Sequence, residues 1–233
     1  SYDLWEEKFG VSTFTASSVY GALMAAGKFS KLLGKVEHEK KYSTAAEKVK
    51  EAIIKYLWCE DKKMFYKMVN FEDGKPIYDE TMDISSIYGI FRFRVLDAHD
   101  PMVIDSIKTM EGISTRILVG GIPRYENDVY HRSSHEVPGN PWIITTLWLA
   151  QYYVIAAKEE KDFDKVKEIL MWVVRQAGST GILPEQIDAV TGAHLSATPL
   201  TWSHSEFVST VINYLEKIEE LGIFAQEEIK AGY

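Results

Sequence analysis

The stretch from Trp142 to Ala157, WIITTLWLAQYYVIAA, contains no charged residue and is apolar on nearly every side of a helix. A helix that is hydrophobic all round has to be covered by neighbours on all sides. The run falls short of the roughly 18 apolar residues that a bilayer span needs. It is therefore expected to be a central helix of a helical core.

Other segments show one apolar face instead. Ile53, Ile54, Leu57 and Trp58 make one stripe at helical spacing; Phe163, Val166, Ile169, Leu170, Val173 and Val174 make a second. Val208, Val211, Ile212, Leu215 and Ile218 make a third, and each stripe is expected to be buried. Together these patterns predict seven helices, near 14–34, 38–58, 83–92, 101–111, 140–158, 161–177 and 202–221. One segment departs from the pattern. KMFYKMVNFEDGKPIYD alternates aromatic and polar residues around Asp73-Gly74, which predicts a single short β-hairpin.

Two long connections are dense in Gly, Pro and polar residues: RILVGGIPRYENDVYHRSSHEVPGNP and GSTGILPEQIDAVTGAHLSATPLT. Loops of this length inside a compact domain are usually functional or disordered. Their aromatic and charged content favours function. No repeat, low-complexity tract or linker divides the chain, so residues 1–233 read as one domain or a large part of one.

Composition narrows the function. The net charge is −8, with no basic stripe to neutralise phosphates, which excludes a nucleic-acid partner. No apolar run is long enough for a membrane partner, and no charged-then-apolar leader precedes Ser1, so a soluble protein is expected. The missing initiator methionine is expected to reflect a start removed by processing or in preparation. The single cysteine, Cys59, follows the run IIKYLW and reads as a buried thiol, which fits a reducing, cytoplasmic location. Neither Gly74 nor the Gly120-Gly121 pair forms a phosphate cradle, so no nucleotide or other cofactor is expected. His131 and His135 are four apart beside Glu136, but Ser, Pro and Gly around them indicate a loop, and no metal is expected there. His204 is expected to satisfy a local hydrogen bond at a helix start.

The remaining candidates are carboxylates set among aromatics. Hydrolysis of a glycosidic bond needs one protonated acid for the leaving oxygen and one ionised carboxylate. Glu6 and Glu7 follow Tyr2 and Trp5, and an indole that desolvates a carboxyl favours its protonated form. The competing reading is a solvated pair at a helix start, where acids favour the dipole. Glu185 stands between Pro184 and Gln186 in a Gly-bounded loop. RYENDVY offers Arg124 for sugar hydroxyls, Tyr125 and Tyr130 as stacking faces, and Asp128 as a guanidinium partner; an ordinary surface ion pair is the alternative.

Three ordered motifs, DLWEE, GGIPRYENDVY followed by GNPWIITTLWLAQYY, and LPEQIDAVTGAHLSATPLTWSHSEF, resemble glycoside hydrolase family 15, the glucoamylases and their prokaryotic relatives. The resemblance covers nearly the whole chain. It implies an all-α (α/α)6 barrel of twelve helices, of which this chain would supply about seven. It also implies inverting hydrolysis that releases glucose from non-reducing ends of an oligosaccharide or polysaccharide α-glucan.

Carried onto these residues, the resemblance makes Glu6 the general acid, Glu7 a substrate-binding neighbour and Glu185 the general base. Arg124 would bind the non-reducing-end sugar, Tyr125, Asp128 and Tyr130 would shape its pocket, and Trp202 would line the site. Trp5 and the Asn140-Pro141-Trp142 turn are expected to support them. For inversion the two carboxyls are expected roughly 6.5 to 9.5 Å apart. DLWEE lies near the middle of the catalytic domain in this family, so the chain is expected to be the C-terminal portion. An incomplete pocket, weak or absent turnover, and self-association or a missing N-terminal half would follow. Trehalase or glucodextranase activity within the same family, and a non-catalytic carbohydrate-binding remnant, are the alternatives.

Overall fold

The computed structural model describes residues 1–223. Its contacts group into two compact units, one from Ser1 to Met110 and one from Glu111 onward.

The first unit begins with a loop, Ser1–Gly10, closed on itself where Gly10 N–H donates to Ser1 O at 2.9 Å. Strand β1 (Val11–Ser12) leads into helix α1 (Thr13–Leu32), whose N-cap Ser12 accepts a hydrogen bond from Thr15 N–H. Such a cap satisfies one of the amide donors a helix start leaves open. Beyond the end of helix α1, Gly34 lies in the left-handed region with φ +67°, and the chain returns as α2 (Val36–Leu57). The two pack closely because both are small at the crossing: a Cβ added to Gly27 would lie 3.1 Å from Ser43 Oγ.

Strands β2 (Trp58–Cys59) and β3 (Met64–Phe65) form a two-stranded pair, and Cys59 is buried there. Strands β4 (Met68–Glu72) and β5 (Lys75–Asp79) form the expected hairpin. Asp73 and Gly74 both have positive φ, 49° and 75°, as a two-residue hairpin turn of matching twist requires. The expectation of a single hairpin was too sparse. Strand β1 pairs with β4 to give a three-stranded sheet, and β2–β3 is a separate pair. Two-residue strands are too short to show alternation, which is why spacing alone did not reveal them.

Helix α3 (Ile84–Arg92) is buried from Ile84 to Phe91. Asp83 caps it by accepting from Ser85 N–H at 2.8 Å. It lies so close to α1 that a Cβ on Gly89 would meet Phe14 Cα at 3.1 Å. Helix α4 (Pro101–Ser114) follows, with Val103, Ile107 and Met110 buried.

In the second unit, α5 (Ile143–Ala156) is the expected all-round apolar helix, with every residue from Ile143 to Tyr152 buried. A 3-10 turn (Glu160–Phe163) leads to α6 (Asp164–Gln176), and both pack on α5. Ile143, Leu147, Trp172, Val173, Leu183 and Ile187 make one core cluster. Val154, Ala157, Phe163, Val166 and Ile218 make another. Each Val, Leu, Ile or Phe side chain among them contributes about 1.5–3 kcal/mol on burial.

Strands β6 (Gln186–Ile187) and β7 (His194–Leu195) pair within the second long connection, and α7 (Thr201–Glu220) closes the described chain. The stripe expected to be buried on α7 is corrected here. Val208, Ile212 and Leu215 are exposed, and of the named positions Ile218 is the buried one. The face turned to α5 is polar instead: Gln151 Nε2 donates to Thr210 Oγ1 at 3.1 Å and to Glu206 Oε2 at 2.7 Å. Ser203, Glu206, Thr210, Tyr214 and Ile218 share that helical face, while beside it Phe207 packs on the cluster of Ile143 and Leu147, so hydrogen bonds and apolar contact together hold the first half of α7. Among the described residues no helix is long and apolar enough to cross a membrane.

Candidate active-site residues

In the first unit, Glu6 stands at the tip of the Ser1–Gly10 loop. Asp3 N–H donates to Lys8 O at 2.8 Å, and Glu6 N–H donates to Asp3 O at 3.2 Å. Asp3 Oδ1 accepts from the N–H of Glu7 at 2.9 Å and of Lys8 at 3.3 Å. This tight wrapping leaves Glu6 at φ 59°, a left-handed conformation unusual for a residue with a side chain. The carboxyls of Glu6 and Glu7 are both exposed, and the pair sits in a turn rather than at a helix start.

The Trp5 indole is itself held in place, its Nε1–H donating to Asp83 Oδ2 at 2.9 Å. Below the loop, Lys67 Nζ lies 3.1 Å from both Asp3 Oδ2 and Asp83 Oδ2, and all three side chains are at most 2 % exposed. Burial pulls the Lys67 ammonium down, but the carboxylates of Asp83 and Asp3 more than offset this and hold it above its ordinary value. Lys67, Asp3 and Asp83 are not among the candidates to which the motifs point, although Asp3 opens DLWEE. The available signal was a lone lysine inside the otherwise apolar and aromatic MFYKMV.

In the second unit, Arg124 and Asp128 are both buried, with two parallel hydrogen bonds of 2.8 Å from Nε to Oδ2 and from the second guanidinium nitrogen to Oδ1. The guanidinium also lies 4.8 to 5.2 Å from the ring centres of Trp142, Tyr125 and Tyr130, within cation–π range. Tyr125 is buried, whereas Tyr130 is 42 % exposed and its N–H donates to Asp128 Oδ1 at 2.9 Å. Of these three rings, that of Tyr130 is the one exposed to solvent.

The two long connections meet in a small ladder. Ile122 pairs with Trp142, and Trp142 with Gln186. The turn before α5 binds them: Asn140 donates to His131 O and Gln186 Oε1 and accepts from Ser133 Oγ. Glu185 sits inside this frame. Its N–H donates to Ala197 O at 2.9 Å, and its carbonyl accepts from Ile143 N–H at 3.2 Å. Its neighbour Pro184 accepts from Ser203 Oγ at 2.7 Å, and Leu183 N–H donates to His204 Nε2 at 3.1 Å. His204 thus makes a hydrogen bond at the start of α7, to a residue 21 positions away and not to the local backbone expected. Glu185 Oε2 is buried and has no hydrogen-bond partner among the described residues. A buried carboxylate oxygen left without a protein partner is a costly arrangement that calls for an explanation.

Trp202, in the first turn of α7, is partly exposed; its Nε1–H donates to Glu206 Oε1 at 3.3 Å and its ring lies 5.9 Å from that of Trp148. Arg124, Tyr125, Asp128, Tyr130, Glu185 and Trp202 thus belong to the second unit, and Trp5, Glu6 and Glu7 to the first. Among the described residues no group of three or more His, Cys, Asp or Glu side chains converges as metal ligands do.

Comparison with known proteins gives a consistent picture. An uncharacterized glycosyl hydrolase of Methanocaldococcus jannaschii is 35 % identical over 216 residues, covering 89 % of this chain and 33 % of that protein. A glucoamylase of Neurospora crassa is 24 % identical over 263 residues, covering 89 % of this chain and 40 % of its own. The chain thus spans a third to two fifths of the length of these relatives. A crystal structure of a bacterial glucoamylase complexed with acarbose matches with a TM-score of 0.77 at 22 % identity, covering 91 % of this chain and 35 % of that one. That likeness shows a mostly helical glucoamylase-type fold. The sequence profile of Glycosyl hydrolases family 15 matches residues 1–168 and 160–212. With nearly all of its described length matched by that profile, the chain belongs to glycosyl hydrolase family 15.

Proposed function

We propose that this chain carries the two carboxylates of an inverting glycoside hydrolase that releases glucose from non-reducing ends of α-glucans, with Glu6 as general acid and Glu185 as general base. The observation that supports this most is Glu185 Oε2, buried, without a protein hydrogen bond among the described residues, on a backbone held at both its N–H and its C=O. A carboxylate fixed in this way is suited to take a proton from water.

The chemistry balances with these two groups alone. Glu6 gives its proton to the glycosidic oxygen as the bond to the anomeric carbon breaks. A water oxygen bonds to that carbon from the opposite face while its proton passes to Glu185. The exposed, left-handed tip at Glu6 suits a group that must meet a leaving oxygen. Trp5, Glu7, Arg124, Tyr125, Asp128, Tyr130 and Trp202 are assigned to substrate binding or its support. In this reading the seven helices are part of an (α/α)6 toroid. Because the chain spans a third to two fifths of its relatives, turnover by these 233 residues alone is expected to be low or absent.

The test is glucose release from maltose, maltotriose and trehalose by this chain and by any longer product of its gene, with the first-formed anomer read by proton NMR. Release of the β-anomer, lost in Glu6→Gln and in Glu185→Gln, is expected. An α-anomer as first product would reject inversion, and hydrolysis of trehalose alone would move the assignment to trehalase. Tight binding of an aminosugar inhibitor without hydrolysis by any form would leave a carbohydrate-binding remnant.

A further inference from the structure

Lys67 is a charged side chain with 2 % exposure, placed where neither the helical core nor the hairpin requires a charge. Its two carboxylate partners come from different places in the chain. Asp3 belongs to the loop that carries Glu6, and Asp83 caps α3. Each carboxylate uses its other oxygen or its remaining lone pairs on a second task. Asp3 Oδ1 gathers the amides of Glu7 and Lys8, one and two residues past Glu6. Asp83 Oδ1 receives Ser85 N–H, and Asp83 Oδ2 receives the Trp5 indole, one residue before Glu6. The residues on both sides of Glu6 are therefore tied to the same buried ammonium through one intervening carboxylate.

The backbone at Glu6 is strained, and a strained conformation persists only where its surroundings over-determine it. Such strain would relax if either flank were released. Replacing a buried ion group by apolar side chains of similar volume is often neutral or stabilising, so stability alone does not account for this one. What it supplies that packing does not is direction, because one ammonium 3.1 Å from two carboxylates holds both in place by short-range attraction in a buried setting.

We propose that Lys67 is a positioning residue: through Asp3 and Asp83 it clamps the loop on both sides of Glu6 and so fixes the left-handed tip that presents the Glu6 carboxyl. This rests on the reading of Glu6 as general acid. The clamp itself is a separate claim and can be measured without turnover. A displacement of about 1 Å in a reacting group can lower a rate roughly a hundredfold, so a clamp acting at this distance matters to chemistry.

The experiment compares the wild-type chain with Lys67→Met and Asp3→Asn by residue-resolved amide hydrogen exchange, with the same substitutions assayed in whichever form of the protein releases glucose. Lys67→Met leaves two carboxylates facing each other and can fail to fold. Asp3→Asn leaves Lys67 paired with Asp83 and keeps a side-chain acceptor, so it is the fold-preserving variant. The expected result is exchange at Glu7 and Lys8 faster by about tenfold or more, with the amides of α1 and of β4–β5 near wild type. In the active form kcat is expected to fall roughly a hundredfold with KM little changed. Exchange at Glu7 and Lys8 unchanged in Asp3→Asn, or accelerated equally across α1 and the sheet, overturns the clamp. If no form releases glucose, the functional reading fails while the exchange result still decides the role of Lys67.

Discussion

Arg124 and Asp128 are four residues apart, yet they meet across a turn and not along a helix. Asp128 N–H donates to Tyr125 O at 3.2 Å, Asn127 adopts φ 62°, and the two side chains close a double hydrogen bond of 2.8 Å in a buried setting. The guanidinium among three aromatic rings makes this pair the hub of the loop before α5. Removing one partner leaves the other charge buried. Asp128→Asn is expected to cost about 3–5 kcal/mol in urea unfolding, and the double substitution Arg124→Met with Asp128→Leu is expected to cost less than Asp128→Asn alone. A single variant as stable as wild type would show that the loop opens to solvent.

Glu185 behaves differently, because its buried oxygen makes no protein bond that could be lost. Glu185→Gln is isosteric and removes a charge whose burial is costly, so it is expected to keep stability or to raise it by about 0.5–2 kcal/mol. The rate in the active form of the protein is expected to fall roughly a hundred- to ten-thousandfold. Thermal melting and glucose release on the same sample separate the two effects. A large stability loss with an equal loss of activity would make Glu185 a structural residue.

Gly121 is held at φ 84°, and a Cβ there would stand 2.7 Å from Pro141 Cβ and 2.7 Å from the Trp172 ring. Neither neighbour can yield easily, since Trp172 is anchored by its Nε1–H to Val119 O at 2.8 Å. Gly121→Ala is expected to cost about 1–3 kcal/mol or more from overpacking, in addition to the strain of the left-handed backbone. Gly74→Ala, in open space at φ 75°, carries the backbone strain alone and is expected to cost less in the same melting assay.

An acid-sensitive contact ties the Glu6 loop to the hairpin. Burial pushes the Asp79 carboxyl up, but hydrogen bonds from Lys8 and Thr81 outweigh it and hold it below its ordinary value of 3.8. A depressed carboxylate contributes stability that is present above the unfolded value and lost as pH falls through the folded one. The loss is thus expected only below about pH 3.9, the unfolded aspartate value. Lys8→Met is expected to lower stability at pH 7 by about 1 kcal/mol or less, Lys8 being half exposed, and to shrink that acid loss. An unchanged acid slope in Lys8→Met, measured by urea melts from pH 7 to pH 2.5, would remove the contact from the account.

The sequence by itself determined the helices, because periodic burial is a local property: the spacing of Ile53, Leu57, Phe163, Val166 and Val173 already says which side of α2 and of α6 is covered. It also determined the hairpin, through Asp73-Gly74, and the ordered motifs that carry Glu6, Arg124 and Glu185. What only the tertiary structure decided depends on partners far apart along the chain. Trp5 meets Asp83 across 78 residues, and Gln151 meets Glu206 across 55. No spacing rule foretells that a lysine in a strand turn will be buried between Asp3 and Asp83, or that α7 will turn Ser203 and Thr210 inward and leave Val208 and Ile212 outside. A local pattern records how hydrophobic a face is, whereas a buried polar contact exists only once two distant segments have been brought within hydrogen-bond reach.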